Sequence, residues 1–190
     1  MENVIELPVR TLPIRTLMGP GPSEINPRVL QALAQPAIGH MDPAFMGLME
    51  EVKDLLRYAF QTTNKLTFPV SGPGSAGMET CFTNLLESGD KIVVAQNGIF
   101  GQRMAEMANR LGAQVVTIDD EWGKPVDPGR LEEALIANPD AKLVAFVHAE
   151  TSTGALSDAR TLADIARRHG CLTVVDTVTS LAGSPLYVDD

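Results

Sequence analysis

The residues best suited to chemistry stand where apolar runs stop. Leu172-Thr173-Val174-Val175 reads as a strand covered on both faces, and Asp176 closes it. In open α/β sheets ligands collect outside the carboxyl ends of the strands, so an acid there faces a ligand or caps the next helix or turn. Ser71-Gly72-Pro73-Gly74-Ser75-Ala76-Gly77 opens a helical stripe. A glycine-rich turn of that kind presents free backbone N–H groups and the positive end of the helix dipole, a phosphate site to which Ser75 can add a hydroxyl. Asn97-Gly98-Ile99-Phe100-Gly101 flanks an aromatic ring with glycines, and the ring can stack on a planar ligand. His148-Ala149-Glu150-Thr151-Ser152-Thr153-Gly154 places hydroxyls after another apolar run, although His148 with Glu150 is too little for a triad and no nucleophile elbow is present.

A phosphate cradle, an aromatic plate, a hydroxyl and an acid suit a flat heteroaromatic phosphate. Residues 72–77 also match G-x-G-x-x-G literally, which invites a dinucleotide reading. That reading expects an acid at the end of the next strand, whereas Ile92-Val93-Val94-Ala95 runs into Gln96-Asn97-Gly98.

Positioning these groups requires alternating elements. Strands are expected at 66–70, 91–95, 114–118, 143–147 and 172–175, with helices near 75–87, 100–111, 128–137 and 158–168. The βαβαβαβαβ order predicts an α/β fold, a layered, mostly parallel sheet with helices on both faces. Ahead of it, residues 1–22 read as an arm whose alternating glycines and prolines (Gly19-Pro20-Gly21-Pro22) allow neither helix nor strand. Residues 23–62 read as lead-in helices and 63–190 as the α/β domain. One lead-in helix spans 27–34. The other starts at Asp42-Pro43 and carries Phe45, Leu48, Met49, Val52, Leu55, Leu56, Ala59 and Phe60 at helical spacing, a stripe for the core or a subunit interface.

Composition narrows the partners. The chain has 190 residues, 44% hydrophobic and 21% charged, in keeping with a globular domain. Its formal net charge of -9 argues against nucleic acid, and no stretch has the length of a membrane span. Residues 1–17 carry Glu2, Glu6, Arg10 and Arg15, which fits neither a signal peptide nor a transit peptide. Cys81 and Cys171 are expected as small core residues without metal spacing, which points to a reducing, cytoplasmic setting.

The chain resembles the N-terminal half of a class V, fold-type I aminotransferase of the alanine/serine–glyoxylate group. The resemblance rests on the runs already quoted, on Ile38-Gly39-His40-Met41-Asp42-Pro43 and on Val174-Val175-Asp176-Thr177-Val178-Thr179-Ser180-Leu181. It implies a pyridoxal 5'-phosphate cofactor, a small amino acid (alanine or serine) as donor, the 2-oxo acid glyoxylate as acceptor, and a homodimer. Carried over by residue, Gly74 and Ser75 bind the phosphate, Phe100 stacks on the pyridine ring and Thr151 hydrogen-bonds near its phenolic oxygen. Asp176, the catalytic acid, pairs with the ring nitrogen, Val178 packs on the other ring face, and Gly21 lies nearest the substrate carboxylate.

The sequence departs from that pattern twice. Pro73 stands where the family carries serine or threonine, so a hydroxyl and a backbone donor are missing. The lysines are Lys53, Lys65, Lys91, Lys124 and Lys142, and none follows Asp176, where the family's layout places the lysine that holds the cofactor. The expectation is therefore a chain that needs a C-terminal half to react. A stand-alone nucleotide-binding α/β domain and a non-catalytic dimerisation fragment are the alternatives.

Overall fold

In the computed structural model, residues 10–189 are described; the first part of the expected arm and Asp190 lie outside them. Two compact units result, one ending at Ala37 and the other beginning at Ile38. The first holds α1 (Pro27–Leu33), where Pro27 takes the first position and the Asn26 side chain accepts the Arg28 N–H at 3.0 Å. The second holds everything else, including α2 (Pro43–Phe60), which the sequence grouped with the lead-in.

The second unit then runs α3 (Gly74–Leu85), β1 (Lys91–Gln96), α4 (Ile99–Arg110), β2 (Gln114–Asp119), α5 (Pro128–Ala137), β3 (Ala141–Val147), α6 (Ala159–Arg168) and β4 (Leu172–Asp176). Its strands form one sheet, ordered β2-β1-β3-β4, with every neighbouring pair parallel. Each crossover is a helix, as parallel neighbours require. The strands alternate between two cores, apart from Ala141 at the irregular start of β3. Ile92, Val94, Leu143, Ala145 and Val147 face α3 and α4, meeting Phe82, Met104 and Ala108. Val93, Ala95, Val144 and Phe146 face α5 and α6, meeting Leu131, Leu135, Leu162 and Ile165. The α/β layering expected from the sequence is therefore present.

Two expectations fail for physical reasons. Residues 66–70 form no strand, and Leu66 and Phe68 are 83% and 54% exposed. A strand exists through its ladder, no described strand lies alongside this segment, and Pro69 offers no N–H to pair. Cys81 is exposed, because the stripe of α3 runs through Met78 and Phe82 and Cys81 lies about 100° of helix rotation off it. Cys171 is buried as expected. Helix α2 has no fully buried residue; Phe45, Met49, Val52, Leu56 and Phe60 are half covered, while Leu48 and Leu55 stay 50% and 59% exposed. Among the described residues no helix is long and apolar enough to cross a membrane.

Candidate active site

The chain leaves β1 toward β2 on one side and later returns to β3 on the other, so strand order reverses between β1 and β3. Loops leaving adjacent strands in opposite directions open a crevice at their carboxyl ends. The loop after β1 and the loop after β3 meet there. Gly98 comes at the first and Glu150 at the second, and Glu150 is fully buried.

Glu150 does not belong to a triad; it caps α4 from another loop. Its carboxylate accepts the N–H of Phe100 at 3.2 Å and of Gly101 at 3.3 Å, together with the Ser152 hydroxyl at 2.7 Å. Ser152 Oγ in turn accepts the Ile99 N–H at 3.0 Å. The free donors of the first turn of α4 are thus satisfied from β3's loop, and the carboxylate sits on the positive end of the helix dipole. That bracket fixes Phe100 relative to Thr151. It also explains Gly98: a Cβ there would lie 2.5 Å from Ser152 Oγ and closer still to Glu150 Cγ. Gly98→Ala is expected to lose about 1–3 kcal/mol through overpacking, read as a lower denaturant midpoint at unchanged slope.

Other helix starts are closed locally. Asp42, Asp127 and Asp158 accept the N–H groups of Ala44, Gly129 and Thr161. Helix α3 differs, for Pro73 is its N-cap without a side-chain bond, and no described acceptor takes the N–H of Gly74 or Ser75. An uncapped helix start beside the crevice is left free to bind an anion.

Between these elements lies a cavity of about 210 Å³. Gly74, Ser75, Phe100, Thr151, Asp176 and Val178 all line it, so six residues chosen from four stretches of sequence converge on one place. Pro73, Met78 and Arg103 complete the wall. Gly21, the seventh residue of the predicted set, is exposed and belongs to the N-terminal unit. Gly74 lacks a side chain where one would press 3.2 Å from Val178 Cγ2, so the start of α3 and Val178 can approach closely. Thr151 and Thr179 share a hydrogen bond between their hydroxyls, which holds Thr151 at the rim.

Asp176 ends β4 opposite Val147, and its Oδ1 accepts the Val178 N–H at 2.9 Å. Burial pushes its carboxyl above the usual range and the Glu150 charge adds to that push, against the Val178 hydrogen bond and Arg103. A part-buried acid of this kind is favoured in its charged form by a nearby cation, such as a protonated ring nitrogen. His148 turns elsewhere. It is buried, its Nδ1 has no described partner, and burial lowers its pKa. It lines a larger cavity of about 750 Å³ along the outer edge of β4 and against α6. That cavity contains none of the predicted site residues, so its size does not mark the chemistry.

Arg103 is the pocket residue that sequence reasoning missed. It lies three positions after Phe100, hence on the same face of α4, and that spacing was the available signal. Its guanidinium is 4.8 Å from the centre of the Phe100 ring, and Nη1 donates to Ser75 Oγ at 3.0 Å.

A parallel α/β sheet with an uncapped helix start, an aromatic plate and a part-buried acid at one crevice suits a phosphorylated heteroaromatic cofactor. The family model for class-V aminotransferases matches residues 17–190, and the chain belongs to that family. It is 43% identical over 179 residues to the alanine–glyoxylate aminotransferase of Mus musculus, covering 94% of this chain and 43% of that protein. It is 38% identical over 178 residues to the (S)-ureidoglycine–glyoxylate transaminase of Bacillus subtilis, covering 94% and 42%. The crystal structure of alanine–glyoxylate aminotransferase from Nostoc sp. superposes with a TM-score of 0.93 at 45% identity, covering 97% of this chain and 49% of that one. The chain thus spans about half the length of the relatives it matches. Pyridoxal 5'-phosphate is the cofactor of this family, and the pocket fits it: free N–H groups at Gly74 and Ser75, an aromatic plate, and an acid in need of a cation.

Proposed function

We propose that this chain forms the cofactor-binding part of an aminotransferase that moves an amino group from alanine or serine to glyoxylate. The observation carrying the proposal is the convergence of Gly74, Ser75, Phe100, Thr151, Asp176 and Val178 on one small cavity. Glyoxylate is the acceptor named for both the Mus musculus and the Bacillus subtilis relatives, which supports it as the 2-oxo acid here.

The bound cofactor supplies an aldehyde and a pyridine ring that withdraws electrons from the carbon losing its proton. The chain's residues prepare that ring. The N–H groups of Gly74 and Ser75 hold the phosphate at the start of α3, where a negative charge also meets the helix dipole. Phe100 and Val178 would cover the ring from its two faces. Asp176 would keep a proton on the ring nitrogen, because a carboxylate beside a cation favours the charged form of its partner. Thr151, whose hydroxyl is bonded to that of Thr179, would hydrogen-bond near the phenolic oxygen.

The half-covered stripe on α2 supports a homodimer, with Leu48 and Leu55 as contacts to a second copy. Cys81 and Cys171 are both free thiols, which supports a reducing, cytoplasmic setting. The test of the function is an assay of the complete protein, supplied with pyridoxal 5'-phosphate and alanine or serine and followed by loss of glyoxylate. Activity with neither donor overturns it.

Pro73 gives a separate prediction. Pro73→Thr adds a hydroxyl and a backbone N–H at a helix start that has no side-chain cap. Charge-assisted hydrogen bonds to phosphate are strong, so the variant is expected to bind the cofactor several-fold more tightly, measured by titration of its absorbance. An equal or weaker dissociation constant would show that Gly74 and Ser75 already satisfy the phosphate.

A further inference from the structure

A part-buried arginine normally has a carboxylate, because leaving its charge unpaired is costly. Arg103 has none: no ion pair of the described residues includes it, and its polar contact is the neutral Ser75 hydroxyl. Asp176 lines the same cavity without pairing to it. Arg103 is instead drawn toward Ser75, at the one described helix start of the second unit that lacks a side-chain acceptor. The Phe100 ring steadies it through a cation–π contact at 4.8 Å.

We propose that Arg103 is the charge partner of the cofactor's phosphate, a binding role that rests on the function proposed above. A phosphate monoester carries close to two negative charges at neutral pH. Two backbone N–H groups and half a unit of helix dipole do not balance them, and Pro73 has removed a further donor. The guanidinium supplies the missing positive charge and can grip two phosphate oxygens at once. Its bond to Ser75 Oγ places both donors on the same anion. Because Arg103 and Phe100 sit one turn apart on α4, the phosphate grip and the ring plate move as a single body.

The experiment compares two ligands that lack an aldehyde and so need no lysine: pyridoxamine 5'-phosphate and pyridoxamine. Dissociation constants are measured calorimetrically on the 190-residue chain and on Arg103→Gln and Arg103→Lys, each checked for folding by circular dichroism. Expected for Arg103→Gln is at least about tenfold weaker binding of the phosphate ester, with pyridoxamine changed less than about twofold. Arg103→Lys should recover part of the loss, since it restores charge without the fork. Equal weakening of both ligands would overturn the proposal, because Arg103 would then act only by steadying Phe100. Unchanged binding of the ester would overturn it as well. If the unaltered chain binds neither ligand, the cofactor-site reading itself fails, an outcome distinct from both.

Discussion

Asp176→Asn in the complete protein is expected to cut transamination roughly a hundredfold or more while the fold stands, the scale on which a group that holds a proton at the reacting system contributes. The amide fills the same space and can still accept the Val178 N–H, so the turn after β4 has no reason to change. It cannot keep the ring nitrogen protonated, and the ring then withdraws electrons poorly. Steady-state kinetics with alanine and glyoxylate measure the effect, and unchanged turnover would sink the assignment.

The same substitution carries an opposite expectation for the chain without cofactor. Burial and the Glu150 charge raise the Asp176 pKa, with Arg103 and the Val178 N–H opposing. A carboxyl whose folded pKa lies above its unfolded one binds its proton better in the folded state. Its contribution to stability is therefore full below the unfolded value, about 3.9, and is lost as pH rises through the raised folded value. Above that raised value the ionised Asp176 costs stability, so there Asp176→Asn should melt at a higher temperature than the unaltered chain. Below about pH 4 the two should converge. A variant that is more stable yet inactive would show the stability cost of a functional acid.

Much of this site was legible because its residues follow local rules. An apolar run ending in Asp176 marks a strand end, and a glycine-rich turn before a helical stripe marks α3; neither depends on what lies across the fold. Glu150 and Arg103 could not be read that way. The carboxylate of Glu150 caps a helix that begins 51 positions earlier, at Ile99, and the guanidinium of Arg103 meets a hydroxyl at position 75. Both pairings come from the packing of loops whose neighbours are set by strand order, and strand order is not a local property of the sequence. Residues 66–70 illustrate the converse error. Their composition suits a strand, but pairing is a relation between segments, and the described residues place no partner beside them.

The position of the lysines carries the second large effect. A borohydride-stable adduct in the pocket needs a lysine amine there to meet the cofactor's aldehyde, and no lysine lines the pocket. Lys91 and Lys142 sit at the amino ends of β1 and β3, paired with Asp140 and Asp90. From Lys142 to the loop after β3 the strand alone spans about 20 Å, well beyond the reach of a side chain. Lys53 pairs with Glu50 on α2, Lys124 with Glu121, and Lys65 is exposed. With pyridoxal 5'-phosphate and borohydride, the 190-residue chain is therefore expected to show no adduct that depends on Phe100 or Asp176. Any labelling should fall on these five lysines or the N-terminal amine and persist in Phe100→Ala, as peptide mass spectrometry would reveal. Transamination by the chain alone should be undetectable. Adding a polypeptide from the C-terminal half of a class-V aminotransferase, carrying its lysine, should create a pocket adduct and raise activity above background, since effective molarities of oriented groups reach about 10⁵ M or more. If the 190 residues transaminate alanine and glyoxylate with no other polypeptide present, the pocket lacks nothing and the reading of an incomplete site is wrong.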